Sequence, residues 1–336
     1  MDNNTILSIC IPTYNGSSSF LNEVLETVSN ILKEYSGVEV IVSDNCSTDN
    51  TASLVQKYCV KEPRIRSYRN SVNVGFNGNM MLLMDQYAKG EYLWMIGDDD
   101  IINIDALQFI LKVLAKGEVD YLSLRYKYIS PDEYIECNNS KEGSINHKEF
   151  TIHHCSFAKV IDENCRRGNS FGTFMGSTIV RRKIFNNVPK DIIENKFDVY
   201  YNVWPNAYIN ATGFYDKACA YIPEESIFCI LRNKEWAEGE NSFKFLSEYN
   251  VQMYNYFLSL GIKEKALKRT HIRVLYDYLW SSYRRIIRGK RVNKNFLRMW
   301  LRSFKYPIIR KTIYANFIKL IKSKITGQNI ILDDVD

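Results

Sequence analysis

The chain has 336 residues, 46% of them hydrophobic and 24% charged, with a formal net charge of +6. That composition excludes a chain disordered throughout and fits one elaborated domain or a domain with an appendage. The charge is unevenly placed: residues 263–324 carry 19 Lys or Arg against 2 acidic residues, whereas residues 1–262 are net acidic. Such an asymmetric field directs the C-terminal quarter toward something anionic. The eight cysteines include no C-x-x-C pair and read as buried thiols of a reducing compartment. The polar stretch Met1–Thr5 is no signal peptide, and no apolar run approaches the roughly 18–20 residues that span a bilayer. A cytoplasmic protein is expected.

Taken in chain order, Ile6–Ile11 is an apolar run ended by Pro12, and Phe20, Val24, Val28 and Ile31/Leu32 recur at helical spacing. A strand and a helix follow from that pattern. Val38–Val42 reads as the second strand, and Thr48–Thr51 as the start of a helix carrying Leu54, Val55 and Tyr58. Arg64–Tyr68 alternates as a third strand, Asn77–Tyr87 is helical, and Glu91–Ile96 is the fourth strand. A helix over 104–116 and a strand over Val119–Tyr126 complete the series. Alternating strands and helices predict an α/β fold with a mostly parallel sheet, whose ligand-contacting loops follow strands one, two and four.

Those loops hold the unusual residues: Pro12–Gly16 (PTYNG), Ser43–Asp49 (SDNCSTD) and Gly97–Asp100 (GDDD). Neither G-x-G-x-x-G nor G-x-x-x-x-G-K-[ST] occurs, so any nucleotide is held without a glycine cradle. An Asp at a strand end can accept a pyrimidine ring N–H, Tyr14 can flank a base, and a cation on the triplet can neutralise a diphosphate. The plainer alternatives are structural. Asp100 or Asn103 is positioned to cap the helix that follows, and Asp44 or Asp49 to cap the one after the second strand.

Leu7–Asn15 (LSICIPTYN), Val40–Thr51 (VIVSDNCSTDNT), Asn73–Gly75 (NVG) and Tyr92–Asp100 (YLWMIGDDD) together resemble the successive motifs of family 2 glycosyltransferases. The resemblance implies the GT-A fold and a nucleotide-sugar donor. It places Pro12, Thr13, Tyr14 and Asn15 in the nucleotide pocket, Asp44 at the base, and Asn73 and Gly75 beside the nucleoside. It makes the triplet a site for Mn²⁺ or Mg²⁺, with Asp99 the main ligand, Asp98 at ribose or metal and Asp100 in support. Gly97 departs from the pattern, standing where many members carry the first acidic residue. The variant resembles transferases that build bacterial O-antigens and capsules.

Inverting transfer also needs a base on the acceptor hydroxyl, for which the resemblance points to Asp198, with Glu194 second, after the strand and helix start in Phe174–Phe185. Arg232 and Trp236, in a loop starting near Phe228, resemble a pair that closes over the donor. The expected division is a transferase domain over 1–240, with a nucleotide part at 5–125 and an acceptor part at 126–240, then a basic helical region over 241–336. Within that region Ile272, Leu275, Leu279, Tyr283 and Ile286 form a stripe beside Arg273, Arg284, Arg285, Arg288 and Lys290, and Ile313, Phe317, Leu320 and Ile321 repeat it. The pattern suits the inner face of an anionic membrane carrying a saccharide or lipid-linked oligosaccharide acceptor, or else a packed bundle. No nucleic-acid motif is present. A non-catalytic binding module that keeps the GT-A shell is the alternative to an enzyme, and His153–His154 read as structural.

Overall fold

The computed structural model describes residues 5–139, 149–166, 174–189, 205–230, 249–291, 296–303 and 306–326. The chain forms two compact units, Met1–Val160 with Gly172–Asn233, and Ile161–Phe171 with Lys234–Asp336.

The first unit is built on one sheet of nine strands: β1 (Leu7–Thr13), β2 (Val38–Asp44), β3 (Ile65–Arg69), β4 (Tyr92–Met95), β5 (Asp100–Ile102), β6 (Tyr121–Ile129), β7 (His153–Cys155), β8 (Thr178–Arg181) and β9 (Cys219–Ile230). They run in the order β3-β2-β1-β4-β8-β6-β9-β5, with β7 also on β9. The four strands from β3 to β4 are mutually parallel, β8 is antiparallel to β4 and to β6, and β9 runs parallel to β6. The mostly parallel α/β sheet expected from the sequence is therefore present.

Every residue of β1 and β2 is buried, as central parallel strands covered on both faces require. Helices α1 (Leu21–Glu34), α2 (Thr51–Lys61), α3 (Gly75–Met81) and α4 (Ile104–Ala115) follow the strands in alternation. In α1 the residues Leu21, Val24, Leu25, Val28, Ile31 and Leu32 face the core, the 3.6-residue repeat that predicts the helix. The side chain of Asn103 accepts from the N–H groups of Asp105 and Ala106 and starts α4, so Asn103, not Asp100, is its cap. The predicted helix over Asn77–Tyr87 begins earlier, at Gly75, and finishes in a π-helical turn, Leu82–Tyr87.

Two of the strands that escape the sequence pattern pair with each other. β5 has three residues and begins at an aspartate, and β9 carries Pro223, Glu224 and Glu225 in mid-strand. They pair Asp100 with Cys229 and Ile102 with Ile227, and β9 also pairs with β6 and with β7. Phe228–Ile230, read above as the start of a loop over the donor, is thus buried strand. Helices α5 (Pro131–Asn139), α6 (Phe157–Arg166), α7 (Arg182–Asn187) and α8 (Pro205–Phe214) complete this part of the chain, with the end of α6 passing into the second unit.

The second unit contains α9 (Asn250–Ser259), α10 (Lys268–Ile287), α11 (Phe296–Ser303) and α12 (Pro307–Thr326). Leu275, Tyr276, Leu279 and Trp280 of α10 form a core with Ile309, against which Ile272, Tyr283, Trp300 and Ile313 pack. Most of the apolar stripe assigned above to a membrane is therefore covered inside a helical bundle. The described cysteines are all free thiols; Cys10, Cys165, Cys219 and Cys229 are buried, whereas Cys46, Cys59 and Cys155 are only half-buried.

Candidate active site

The C-terminal ends of β1, β2 and β4 open onto a cleft of about 460 Å³. Pro12, Thr13 and Tyr14 line it from the first loop, Asn45 from the second, Asn73, Gly75, Phe76 and Asn79 from the start of α3, and Gly97, Asp98 and Asp99 from the third. Met175 adds an apolar contact from the turn before β8. Tyr14 and Phe76 are each about half exposed here, two aromatic faces held at a cleft where a base can stack.

A network of asparagines fixes the second loop. Asn45 Nδ2 donates to Asn73 Oδ1 at 2.8 Å and to the Gly75 carbonyl at 3.2 Å, while Asn45 Oδ1 accepts from the Val74 N–H and from Asn70 Nδ2, both at 3.0 Å. Asn79 exchanges hydrogen bonds with Ser43 at 2.6 and 2.9 Å. Its two buried members, Asn45 and Asn79, are hydrogen-bonded through both amide atoms, and such a network sets one geometry. Four asparagines between positions 70 and 79 are its mark in the sequence, but their partners lie far away along the chain. Gly75 has φ +74°, which an L side chain adopts only under strain.

Asp44 lies behind this network, 3% exposed and outside the cleft's lining. Its Oδ1 accepts the Ser47 N–H at 2.8 Å. Its Oδ2 has no hydrogen-bond donor and faces Arg69 Nε as an ion pair at 3.5 Å. A buried carboxylate oxygen in that state has unmet capacity for an N–H. Asn15, in the left-handed region at φ 53°, accepts the Thr48 N–H at 2.8 Å and ties the first loop to the second. Asp49 completes that tie by accepting from the N–H and hydroxyl of both Ser17 and Thr51. Burial raises its pKa, but these hydrogen bonds outweigh it and hold the carboxyl at about 2. Asp49 is thus an ionised clasp at the start of α2, the structural reading of the two.

The acidic triplet divides by environment. Asp98 and Asp99 are half-buried on the cleft wall, and Asp98 Oδ2 accepts the Thr13 hydroxyl at 2.7 Å. Gly16 packs at that contact: a Cβ there would stand 2.4 Å from Thr13 Oγ1 and 2.7 Å from Asp98 Oδ2. Asp100 is buried, turned back to accept the Gly97 N–H at 2.7 Å, and starts β5. Burial and the neighbouring Asp99 charge push its carboxyl up to about 7, against the hydrogen bonds from Gly97 and the Cys229 thiol. Gly97 sits against this fold-back: a Cβ there would lie 3.0 Å from Asp100 Oδ2 and 2.7 Å from Asp99 Oδ1.

Two hard-oxygen carboxylates on one wall suit a divalent cation of the Mg²⁺ or Mn²⁺ type. Among the described residues no three His, Cys, Asp or Glu side chains converge as a cage. Asp98 and Asp99 are the residues here that would hold such a cation. His153 and His154 lie on edge strand β7, where His153 stacks on Tyr221 with ring centroids 4.9 Å apart. Asp198, Glu194, Arg232 and Trp236 lie outside the described residues.

The sequence profile of glycosyl transferase family 2 matches residues 8–188, more than half of the chain and all three loops of the cleft. The chain belongs to glycosyltransferase family 2. Among similar proteins, abequosyltransferase RfbV of Salmonella typhimurium is 25% identical over 94% of this chain and 99% of its own length. The GalNAc(5)-diNAcBac-PP-undecaprenol β-1,3-glucosyltransferase of Campylobacter jejuni is 30% identical over 43% of this chain and 42% of its own. The fold is shared with S. aureus TarS 1–349 in complex with UDP-GlcNAc, at TM-score 0.59 and 17% identity over 98% of this chain and 95% of that one. It is also shared with the Pyrobaculum calidifontis mannosyltransferase PcManGT in complex with GDP-Man and Mn²⁺, at TM-score 0.50 and 14% identity over 96% and 88%. The transferase acts on nucleotide sugars, and its sheet has the GT-A arrangement.

Proposed function

We propose that the transferase is a divalent-cation-dependent, inverting enzyme that moves a sugar from a UDP- or dTDP-sugar to a saccharide hydroxyl of a lipid-linked glycan in bacterial polysaccharide synthesis. The observation that carries this reading is the pairing of Asp98 and Asp99 on the cleft wall with the aromatic rim and asparagine floor of one pocket. Asp44 lies just behind the cleft with no hydrogen-bond donor on an Oδ2 that has only the Arg69 ion pair, and a base with a ring N–H, which uracil and thymine have and cytosine lacks, suits it. A Mn²⁺ or Mg²⁺ held by Asp98 and Asp99 would neutralise charge on the departing diphosphate. Thr13 keeps the Asp98 carboxylate oriented, and Asp100 holds the turn that presents both. Relatives named for an undecaprenol-diphosphate acceptor and for poly(ribitol-phosphate) support a phosphate-bearing glycan or polyol as acceptor class.

Asp198 is assigned the proton abstraction from the acceptor hydroxyl, with Glu194 as the second candidate and Arg232 as a donor-diphosphate contact. Replacing Asp198 by Asn is expected to lower transfer by roughly 10²–10⁴-fold while donor affinity is unchanged, as loss of a general base does. Wild-type transfer rates in that variant, measured with a saccharide acceptor, would remove Asp198 from the role.

Attachment to an anionic membrane through residues 263–324 is supported by the basic excess there and by apolar groups that the bundle leaves outside. Leu297 and Leu301, one helical turn apart on α11, are 61% and 57% exposed, and Phe317 and Ile321 on α12 are 44% and 45% exposed. Apolar side chains among basic ones suit the headgroup boundary. No helix among the described residues is long and apolar enough to cross a membrane. Leu297→Gln with Leu301→Gln is expected to reduce co-sedimentation with phosphatidylglycerol vesicles at least fivefold, and an unchanged bound fraction sinks the membrane assignment.

A further inference from the structure

The second unit holds a smaller cavity of about 290 Å³ lined by Asp162, Lys265, Ala266, Lys268, Arg269 and Ile272. Three cations border it against one carboxylate. Positions 265, 268 and 269 are separated by three and four residues, which places their side chains on one helical face across the junction of the turn Glu264–Leu267 with α10. Like charges so spaced repel one another, and the first turn of α10 carries no acidic residue to offset them.

The one carboxylate satisfies them only in part. Asp162 Oδ2 stands 3.7 Å from Arg269 Nη1, an ion pair too long to be a hydrogen bond, and Arg269 Nη1 is buried with no hydrogen-bond acceptor. Lys265 and Lys268 are exposed at the cavity and have no ion-pair partner among the described residues. Neither of the other acidic groups of this segment lines the cavity: Glu264 stands 3.3 Å from His271 Nε2, and Asp277 accepts from Arg273 Nε at 3.1 Å. The cavity is thus a concave surface with a net positive charge and a buried guanidinium N–H lacking an acceptor.

We propose that this cavity is an anion site for a phosphate or diphosphate ester, separate from the nucleotide cleft. Arg269 supplies the planar N–H donors that match phosphate oxygens, and Lys265 and Lys268 act as mobile point charges on the same group. Ile272 gives the lining an apolar contact for the carbon that the phosphate is esterified to. The shared chemistry is a doubly charged phosphate terminus; a lipid diphosphate and a polyol phosphate both present it. The inference rests on the second unit's own residues and stands whether or not that unit meets a membrane.

The test is a calorimetric titration of the full chain, without vesicles and at fixed ionic strength, using inorganic pyrophosphate, glycerol 1-phosphate and farnesyl diphosphate in separate arms. The variants are Lys265→Gln with Lys268→Gln and, separately, Arg269→Gln; UDP in the presence of Mn²⁺ is titrated into each as the reference for the cleft. Binding of the phosphate compounds is expected to weaken at least tenfold in the double lysine variant and in Arg269→Gln, with UDP affinity held within twofold. Tighter binding of farnesyl diphosphate assigns the lipid source, and tighter binding of glycerol 1-phosphate the polyol source. Equal pyrophosphate affinity in wild type and the double variant overturns the proposal, and so does a parallel loss of pyrophosphate and UDP, which would put the anion in the nucleotide cleft. The exposed lysines are not packed in a core, so equal melting temperatures are expected and serve as the folding control.

Discussion

Asp99→Ala is expected to lower Mn²⁺-dependent turnover of the donor by roughly 10²–10³-fold or more, the scale on which loss of one group stabilising transition-state charge is felt. The reason lies in the division of the triplet. Asp99 and Asp98 are the two carboxylates on the cleft wall, while Asp100 is buried and committed to the Gly97 N–H and to β5. Removing Asp99 also removes the charge that, after burial, raises the Asp100 carboxyl, so Asp100 then ionises more readily without moving to the cleft. Substitution at Asp99 should therefore not be rescued by its neighbour. Donor turnover with Mn²⁺ at several concentrations checks this, and wild-type turnover at any of them would remove Asp99 from the cation site.

The second large effect is on stability. Trp94, fully buried in β4, donates its indole N–H to the Gly176 carbonyl at 2.7 Å. Trp94→Ala is expected to destabilise the transferase by roughly 3–5 kcal/mol through the cavity alone. The Gly176 carbonyl loses its donor as well, adding about 1–3 kcal/mol where water cannot reach it. Set against the roughly 5–15 kcal/mol by which folded proteins are usually stable, that loss takes about half of the stability or more. Trp94→Phe separates the two parts: it keeps most of the volume and loses the hydrogen bond. Because Gly176 follows Met175, which lines the cleft, Trp94→Phe should also weaken donor binding several-fold while the fold survives. Denaturant midpoints and donor titrations measure the two effects.

The sequence carried the parallel half of the sheet because its signals are local. β1 and β2 are continuous apolar runs, and α1 repeats its core residues every three or four positions, so each is visible within its own window. β5 and β9 are not visible in that way: β5 exists through pairing with β9 more than 100 residues distant, β9 through pairing with β5, β6 and β7, and their glutamates, proline and aspartate read as loop. The same contrast runs through the site. Tyr14, Asn73, Gly75, Asp98 and Asp99 follow strand ends and were legible as motif residues, and the structure brings them to one cleft. The roles of Asn45, Asn79 and Gly16 depend on contacts across 28–82 positions of sequence, such as Asn45 with Asn73 and Asp98 beside Gly16, and no local pattern encodes them. The apolar stripe of α10 shows the limit from the other side. Its period correctly gives a helix, but a period does not say whether the face meets lipid or, as Leu275 and Leu279 do, another helix.

The most direct measurement is a calorimetric titration of UDP and dTDP into the full chain with Mn²⁺ and again after chelation with EDTA. The account predicts Mn²⁺-dependent binding at the cleft, at least tenfold weaker after chelation, and a matching loss with Mn²⁺ present in Asp99→Ala. Equal affinity with and without the cation, in both wild type and Asp99→Ala, would contradict it.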